Sequence, residues 1–203
     1  MYLFGSSGHC KVIIDIVKKS NLEVIENIVD DNPLKDNINN IPIIKTPNDD
    51  FFEGKSLIIS IGNNEMRKKI ATRISANYLV AMHPNSILAS SVSVALGSVI
   101  MAGAIINADV EIGKHSIINS GAVVEHDCIL GDFVHISPNA SLAGNVLIGE
   151  GTHVGIGASI IQGVEIGKWV TIGAGTVILN NVPDFAVVVG NPGRIIKYNN
   201  FEK

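Results

Sequence analysis

From Ile87 to Val182 the chain divides into sixteen consecutive blocks of six residues without one insertion. They run ILASSV, SVALGS, VIMAGA, IINADV, EIGKHS, IINSGA, VVEHDC, ILGDFV, HISPNA, SLAGNV, LIGEGT, HVGIGA, SIIQGV, EIGKWV, TIGAGT and VILNNV. The second position is Leu, Val or Ile in every block, and the sixth is always Val, Ala, Ser, Thr or Cys. In a chain that is 46% apolar, sixteen hits in one phase have a chance on the order of 10⁻⁵, even after all six phases are tried. An α-helix repeats its apolar positions about every 3.6 residues, so a period of six points instead to a short strand followed by a corner. Each block then forms one side of a prism. The aliphatic second residue points inward, the small sixth residue fits where the chain turns, and Gly or Asn supplies the backbone freedom of a tight corner. A β-sandwich or barrel would instead show period-2 alternation with turns at irregular spacing.

The first eighty residues follow another pattern. Tyr2-Leu3-Phe4 runs into Gly5-Ser6-Ser7-Gly8-His9, and Val12, Ile13, Ile14, Ile16 and Val17 follow at helical spacing. A second apolar segment, Val24 to Val29, ends in Asp30-Asp31, and a third, Leu57 to Ile61, ends in Gly62-Asn63-Asn64-Glu65 before a helical stretch from Met66 to Ile74. The pattern predicts a small Rossmann-like α/β domain over residues 1–80 and an all-β domain over 81–203. In such sheets ligands bind at the carboxyl ends of the strands, where the loops after Phe4, Val29 and Ile61 converge. The glycine loop lacks the full G-x-G-x-x-G, so it is not a standard dinucleotide fingerprint.

Composition removes several functions. Nineteen acidic and fifteen basic residues leave a net charge of -4, without a basic stripe for nucleic acid or an anionic membrane. No export signal follows Met1, and no apolar run approaches the roughly 20 residues of a membrane span. A cytoplasmic location is expected. Cys10 and Cys128 are too few for a disulfide framework, and Cys128 falls on an inward position, where it reads as a core thiol. No metal is expected: the gaps of 11, 9 and 18 residues after His115 give no zinc-like pair of imidazoles.

The strongest catalytic candidate is His126, within Glu125-His126-Asp127 at the fourth position of its block, on an outer corner. An imidazole with an ordinary pKa near 6.5 suits proton removal from an amine at neutral pH, and an adjacent carboxylate orients the ring. One turn along the same edge lies Gly144, whose N–H suits an oxyanion. His135 and His153 also stand eighteen apart and should stack on adjacent turns.

Together, the hexapeptide blocks, G-S-S-G-H, the D-D pair, I-G-N-N-E followed by R-K-K-I, and E-H-D resemble one subfamily of the hexapeptide-repeat acyltransferases. It comprises the bacterial nucleotide-linked amino-sugar N-acetyltransferases and their sialic acid O-acetyltransferase relatives. The resemblance spans nearly the whole chain and implies a left-handed parallel β-helix with three sides, eighteen residues per turn, assembled as a homotrimer with sites between prisms. It implies His126 as base, Asp127 as its helper, and acetyl-CoA contacts at His135, Ile156 and Ala174, with Arg194 reaching a CoA phosphate. It places the nucleotide-linked sugar at Ser7, Gly8, His9, Asp30, Asp31 and Gly62, with Asn119 at the sugar. The implied reaction is acetylation of a UDP- or dTDP-linked 4-amino-4,6-dideoxy sugar. O-acetylation of a sialic acid or another sugar hydroxyl, and a non-catalytic sugar-nucleotide-binding module, are the alternatives. Relatives with Glu after the histidine differ from the shorter Asp127 here, which leaves the orientation of the ring open.

Overall fold

A computed structural model describes residues 1–199. The N-terminal sheet contains β1 (Tyr2–Phe4), β2 (Asn27–Asp30), β3 (Asn37–Ile38), β4 (Ile41–Lys45), β5 (Ser56–Ile59) and β6 (Asn77–Tyr78). Their order is β3-β4-β2-β1-β5-β6, parallel throughout except for the edge pair β3–β4. Helix α1 (Gly8–Ser20) forms because Cys10, Ile13, Ile14, Ile16 and Val17 share one apolar face, and all five are buried. Asn21 closes it in the left-handed conformation, φ 52°, and donates its N–H to the Val17 carbonyl. Helix α2 (Asn64–Arg73) is capped by Asn63, whose side chain accepts from the Met66 N–H at 2.8 Å. The second strand starts later than its apolar run suggests, since Val24 is 83% exposed. The β3–β4 hairpin has no clear signal in the sequence; it completes an edge of the sheet.

From Ala81 onward, two-residue strands recur every six residues and pair in parallel with the strand eighteen residues away, as in Ile117↔His135 and His135↔His153. The protein thus combines a Rossmann-like α/β domain with a left-handed parallel β-helix. Its first face carries Ala81, Val99, Ile117, His135, His153 and Thr171, the second runs from Ile87 to Val177, and the third from Ser93 to Glu165. The strand Ala186–Val189 extends the first face and pairs antiparallel with Arg194–Tyr198. The second-position aliphatics from Ile100 to Ile178 and the small sixth-position residues fill the interior, Cys128 with 0% exposure among them.

The sequence pattern puts the turn at the small sixth residue of each block, whereas the backbone bends one residue earlier. At every sixth residue from Gly97 to Gly175, the fifth position of each block, φ is positive. Half of these fourteen corners are not glycine: Asp109, His115, Asp127, Phe133, Asn139, Asn145 and Trp169 adopt the same conformation. Asp and Asn tolerate it well. The aromatic members stand on the edge between the third and first faces; a glycine one turn earlier makes room for His115 and for Trp169, and Phe133 stacks on His115. A Cβ on Gly97 would lie 2.2 Å from the His115 ring, and one on Gly151 would lie 2.4 Å from the Trp169 ring.

The N-terminal domain sits on this aromatic edge and on the first face. Leu3, Ile13, Ile14 and Ile58 share one apolar cluster with Ala81, Val99, Met101 and Ile117. Tyr78 meets His115 edge-on at 4.5 Å, and His115 stacks on Phe133 at 5.2 Å. Arg67 of α2, 1% exposed, runs through the joint and bonds to the carbonyls of His115 and Phe133 at 2.6 and 2.9 Å.

Candidate active site

The corner after the second face presents His126 to solvent, with its side chain 61% exposed. Its Nδ1 lies 2.7 Å from Asp127 Oδ2. A carboxylate only accepts, so Nδ1 carries the proton and Nε2 is free to act as a base. The shorter acid does reach: Asp127 sits in the left-handed conformation, φ 60°, and still closes this bond to the residue before it. The bond to Asp127 raises the pKa of His126 above the usual imidazole value. Gly144, buried one turn along, forms the seat of the ring. A Cβ there would lie 2.6 Å from His126 Cε1 and 2.7 Å from Nε2. The Asn145 N–H donates to the His126 carbonyl at 2.9 Å and fixes this vertical register. One turn earlier, Asn107 donates to Glu125 at 2.7 Å, so the other flanking carboxylate is tied down.

A second group gathers where the glycine loops of the N-terminal domain meet the first face and the edge after it. His135, 8% exposed, points Nδ1 at the Gly62 carbonyl, 3.3 Å away, and Nε2 at Asn119 Nδ2, 3.0 Å away. His153 stacks on it at 4.8 Å and shares a 2.8 Å hydrogen bond with Ser137 Oγ. His9 lies beside Gly62, and its Nε2 is buried without a partner among the described residues. Burial is the main reason these rings stay neutral: His9 is pushed down to about 4 and His135 to about 3, and His153 is also lowered. A cleft of about 380 Å³ opens here, lined by Gly62, Asn63, His135, His153 and Thr171 among others.

The remaining sequence candidates separate into engaged and open residues. Asp30 is occupied: Oδ2 accepts from the Ser6 N–H and hydroxyl at 2.8 and 2.6 Å, and Oδ1 accepts from Asn32 at 2.9 Å. Asp31 takes both arms of Arg73 at 2.9 and 3.0 Å and the Thr46 hydroxyl at 2.7 Å, and Arg73 holds its pKa below the usual carboxylate range. Ser7 is exposed at the N-cap of α1 without a side-chain capping bond. A Cβ on Gly8 would meet open space, whereas Gly5 needs its φ of 107° and lies against Ile61. The glycine that shapes this loop is therefore Gly5. Ile156, 58% exposed, and the exposed Ala174 follow one another down the edge after the first face, joined by the 2.8 Å bond from Gly175 N–H to the Ile156 carbonyl. Arg194 is exposed on the terminal hairpin, which bonds back to Val177 through Gly193.

One chain therefore carries two sets on two edges. His126, Asp127 and Gly144 follow the second face; Asn119, Ile156 and Ala174 follow the first, adjoining His135, Gly62 and His9 on the domain joint. Sequence reasoning grouped His135 with Ile156 and Ala174, whereas its bonds join it to Asn119 and Gly62. It missed Arg67, Arg73, Ser6 and Ser137. The strip along Ile156 and Ala174 is open and apolar: glycines 157 and 175 beside them have nothing within 4 Å of a built Cβ. Among the described residues, no group of three or more His, Cys, Asp or Glu could hold a metal ion, and no helix is long and apolar enough to cross a membrane.

Residues 1–74 match the PglD N-terminal domain, and residues 109–144 and 145–180 match the bacterial transferase hexapeptide (six repeats). No curated protein sequence matched. Among solved structures, the chain resembles a histidine-to-alanine mutant of GDP-perosamine N-acetyltransferase from Caulobacter crescentus in complex with CoA and GDP-perosamine. The two are 35% identical over 97% of this chain and 96% of that one, with a TM-score of 0.90. The acetyltransferase domain of PglB from Neisseria gonorrhoeae is 33% identical over 96% and 98%, with a TM-score of 0.86. WeeI from Acinetobacter baumannii is 27% identical over 96% and 98%, with a TM-score of 0.87. The chain belongs to the hexapeptide-repeat acyltransferases, in the subfamily of bacterial nucleotide-linked amino-sugar N-acetyltransferases and their sialic acid O-acetyltransferase relatives, a group of acetyl-CoA-dependent enzymes.

Proposed function

We propose that the protein is a cytoplasmic N-acetyltransferase that acetylates the amino group of a nucleotide-linked 4-amino-4,6-dideoxy sugar. The single observation that carries this reading is the His126 imidazole, exposed, locked by Asp127 with Nδ1 protonated, and seated on Gly144. Acetyl-CoA supplies an activated acetyl group as a thioester. As the sugar amine attacks the thioester carbonyl, His126 Nε2 takes its proton and Asp127 steadies the resulting imidazolium. The C–N bond forms, the C–S bond breaks, and the imidazolium returns the proton to the departing thiolate, which leaves as CoA thiol. The Gly144 N–H donates to the oxygen that becomes negative during transfer.

Residues 1–80 form the sugar-nucleotide domain in this reading, and 81–203 the acyltransferase domain. The bare N-terminus of α1 at Ser7 and Gly8 suits a diphosphate, since its backbone N–H groups and dipole favour anions. The unpartnered His9 Nε2 beside Gly62 is a further polar group for the ligand. Asp30 and Asp31 act through the loops they hold, Asp30 by fixing Ser6 and Asp31 by fixing Arg73. Because the base and the acetyl-CoA strip lie on different edges of one prism, we place the complete site between copies of a homotrimer. The second edge of one copy would face the first edge of its neighbour.

The similar Caulobacter structure holds a guanosine sugar, so guanosine stands beside uridine and thymidine as the base to be tested. The experiment offers GDP-, UDP- and dTDP-linked 4-amino sugars and their hydroxyl counterparts with acetyl-CoA and follows mass gain and release of CoA thiol. Acetylation of an amine supports the reading. Acetylation of hydroxyls alone, or no transfer to any acceptor, contradicts it.

A further inference from the structure

Arg67 is a buried cation with no carboxylate partner among the described residues. Its fork is filled by neutral oxygens: Nε donates to the His115 carbonyl at 2.6 Å, and Nη2 to Asn64 Oδ1 and the Phe133 carbonyl, each at 2.9 Å. Nη1 donates to the carbonyls of Ile61 and Gly62, both at 3.1 Å. Desolvating a guanidinium this fully is costly, and interdomain packing alone could be served by an apolar side chain. The Gly62 carbonyl gives the arrangement its chemical meaning, because it also faces His135 Nδ1 at 3.3 Å.

The tautomer of His135 follows from both of its ends. A carbonyl only accepts, so the Nδ1 facing Gly62 carries the proton. At the other end, the Ser120 N–H donates to Asn119 Oδ1 at 2.8 Å, which pins the amide and turns Nδ2 toward His135 Nε2 at 3.0 Å. Nε2 must then be the unprotonated acceptor. Both ends call for the same tautomer, and the Gly62 carbonyl is the acceptor of its Nδ1–H.

We propose that Arg67 is a positioning residue for the sugar-binding side of the site: by clamping the Ile61 and Gly62 carbonyls it holds in place the acceptor of the His135 Nδ1–H, and so keeps the ring in the tautomer whose Nε2 receives the Asn119 amide. The chain Arg67–Gly62–His135–Asn119 ties the third loop of the N-terminal domain to the corner where the β-helix offers its polar groups. Lysine keeps the charge but cannot replace the fork, because one ammonium on a flexible stem cannot bridge carbonyls on three segments of chain. The link to turnover rests on the function proposed above; the tautomer does not.

The test has a spectroscopic arm and a kinetic arm. In wild-type protein labelled with ¹⁵N at histidine, long-range ¹H–¹⁵N spectra are expected to show His135 protonated at Nδ1 only. Arg67→Lys is expected to give a mixture of tautomers. Because Arg67→Lys can also weaken the fold, Asn119→Asp provides a second probe on a partly exposed edge: its carboxylate facing Nε2 should draw a proton there and abolish the Nδ1–H-only pattern. Kinetically, Arg67→Lys is expected to raise the KM for the nucleotide sugar roughly tenfold, as for loss of one hydrogen bond to a charged group, while the KM for acetyl-CoA stays within about twofold. An Nε2–H tautomer in the wild type overturns the proposal. So does a folded Arg67→Lys protein with an unchanged His135 spectrum. If no acceptor is acetylated, the functional reading fails, and the spectra still decide the role of Arg67.

Discussion

His126 and His135 are the same residue type in the same β-helix, nine residues apart, yet their surroundings give them opposite chemistry. His126 stands on an open corner, and one carboxylate at 2.7 Å raises its pKa. His135 lies under the N-terminal domain, bonded to a carbonyl and an amide, and burial drives its pKa down to about 3. A group that must gain a proton during turnover needs solvent or a counter-charge to stabilise the cation, and only His126 has both. A group that ties two chain segments together by fixed hydrogen bonds benefits from staying neutral in one tautomer, as His135 does between Gly62 and Asn119. Within one repeat scaffold, depth and the neighbouring group decide which imidazole can take up a proton.

Substitution at the two sites should expose this contrast. The largest effect is expected from His126→Ala, with turnover falling by roughly 10² to 10⁴ and the melting temperature unchanged, because the removed ring is exposed. Thermal unfolding and steady-state rates of the same preparation check both parts. The buried group should show itself in stability. His9, His115 and His135 have folded pKa values near 4, 4 and 3, below the ordinary 6.5. The unfolded chain therefore binds protons that the folded one refuses. Stability contributed by these rings is full above about pH 6.5 and is lost as pH falls toward 4. His126, with a raised pKa, acts in the opposite direction. Melting curves from pH 7 to 4.5 should decline, and a flat profile would remove the buried neutral cluster from the account. Gly144→Ala comes next. Its Cβ would meet the His126 ring at 2.6 Å, so the ring must leave its seat, and kcat should drop by roughly 10² with little change in the KM for acetyl-CoA. An unchanged kcat would show that the seat is not needed.

The β-helix was legible because its signal is local and repeated: each aliphatic second position is fixed by its own block. His126 and Asp127 were legible for the same reason, since the pair is adjacent in sequence and its phase placed it on an outer corner. The N-terminal loops could be located from strand ends but not read in detail. Gly5 rather than Gly8 takes the positive φ, and Ser6 rather than Ser7 binds Asp30, because both depend on contacts with β2 and Ile61 far along the chain. Arg67 stood in a recognised R-K-K-I motif without a visible role, since its partners include His115, 48 residues away, and Phe133, 66 away. No spacing rule reports such contacts. The left-handed hand of the coil likewise came from resemblance, as crossover preferences favour the other hand.

The central claim is that an imidazole steadied by Asp127 removes the proton from the acceptor amine, and the pH dependence of kcat/KM tests it most directly. For the wild type, activity should fall on the acidic side with a midpoint above 6.5, the ordinary imidazole value, because His126 must be unprotonated and Asp127 favours its protonated form. In Asp127→Asn that midpoint should move to lower pH, and the plateau should fall because the amide no longer steadies the imidazolium. An acidic limb that is absent in the wild type, or one that stays in place when Asp127 loses its charge, would contradict the assignment of His126 as the base.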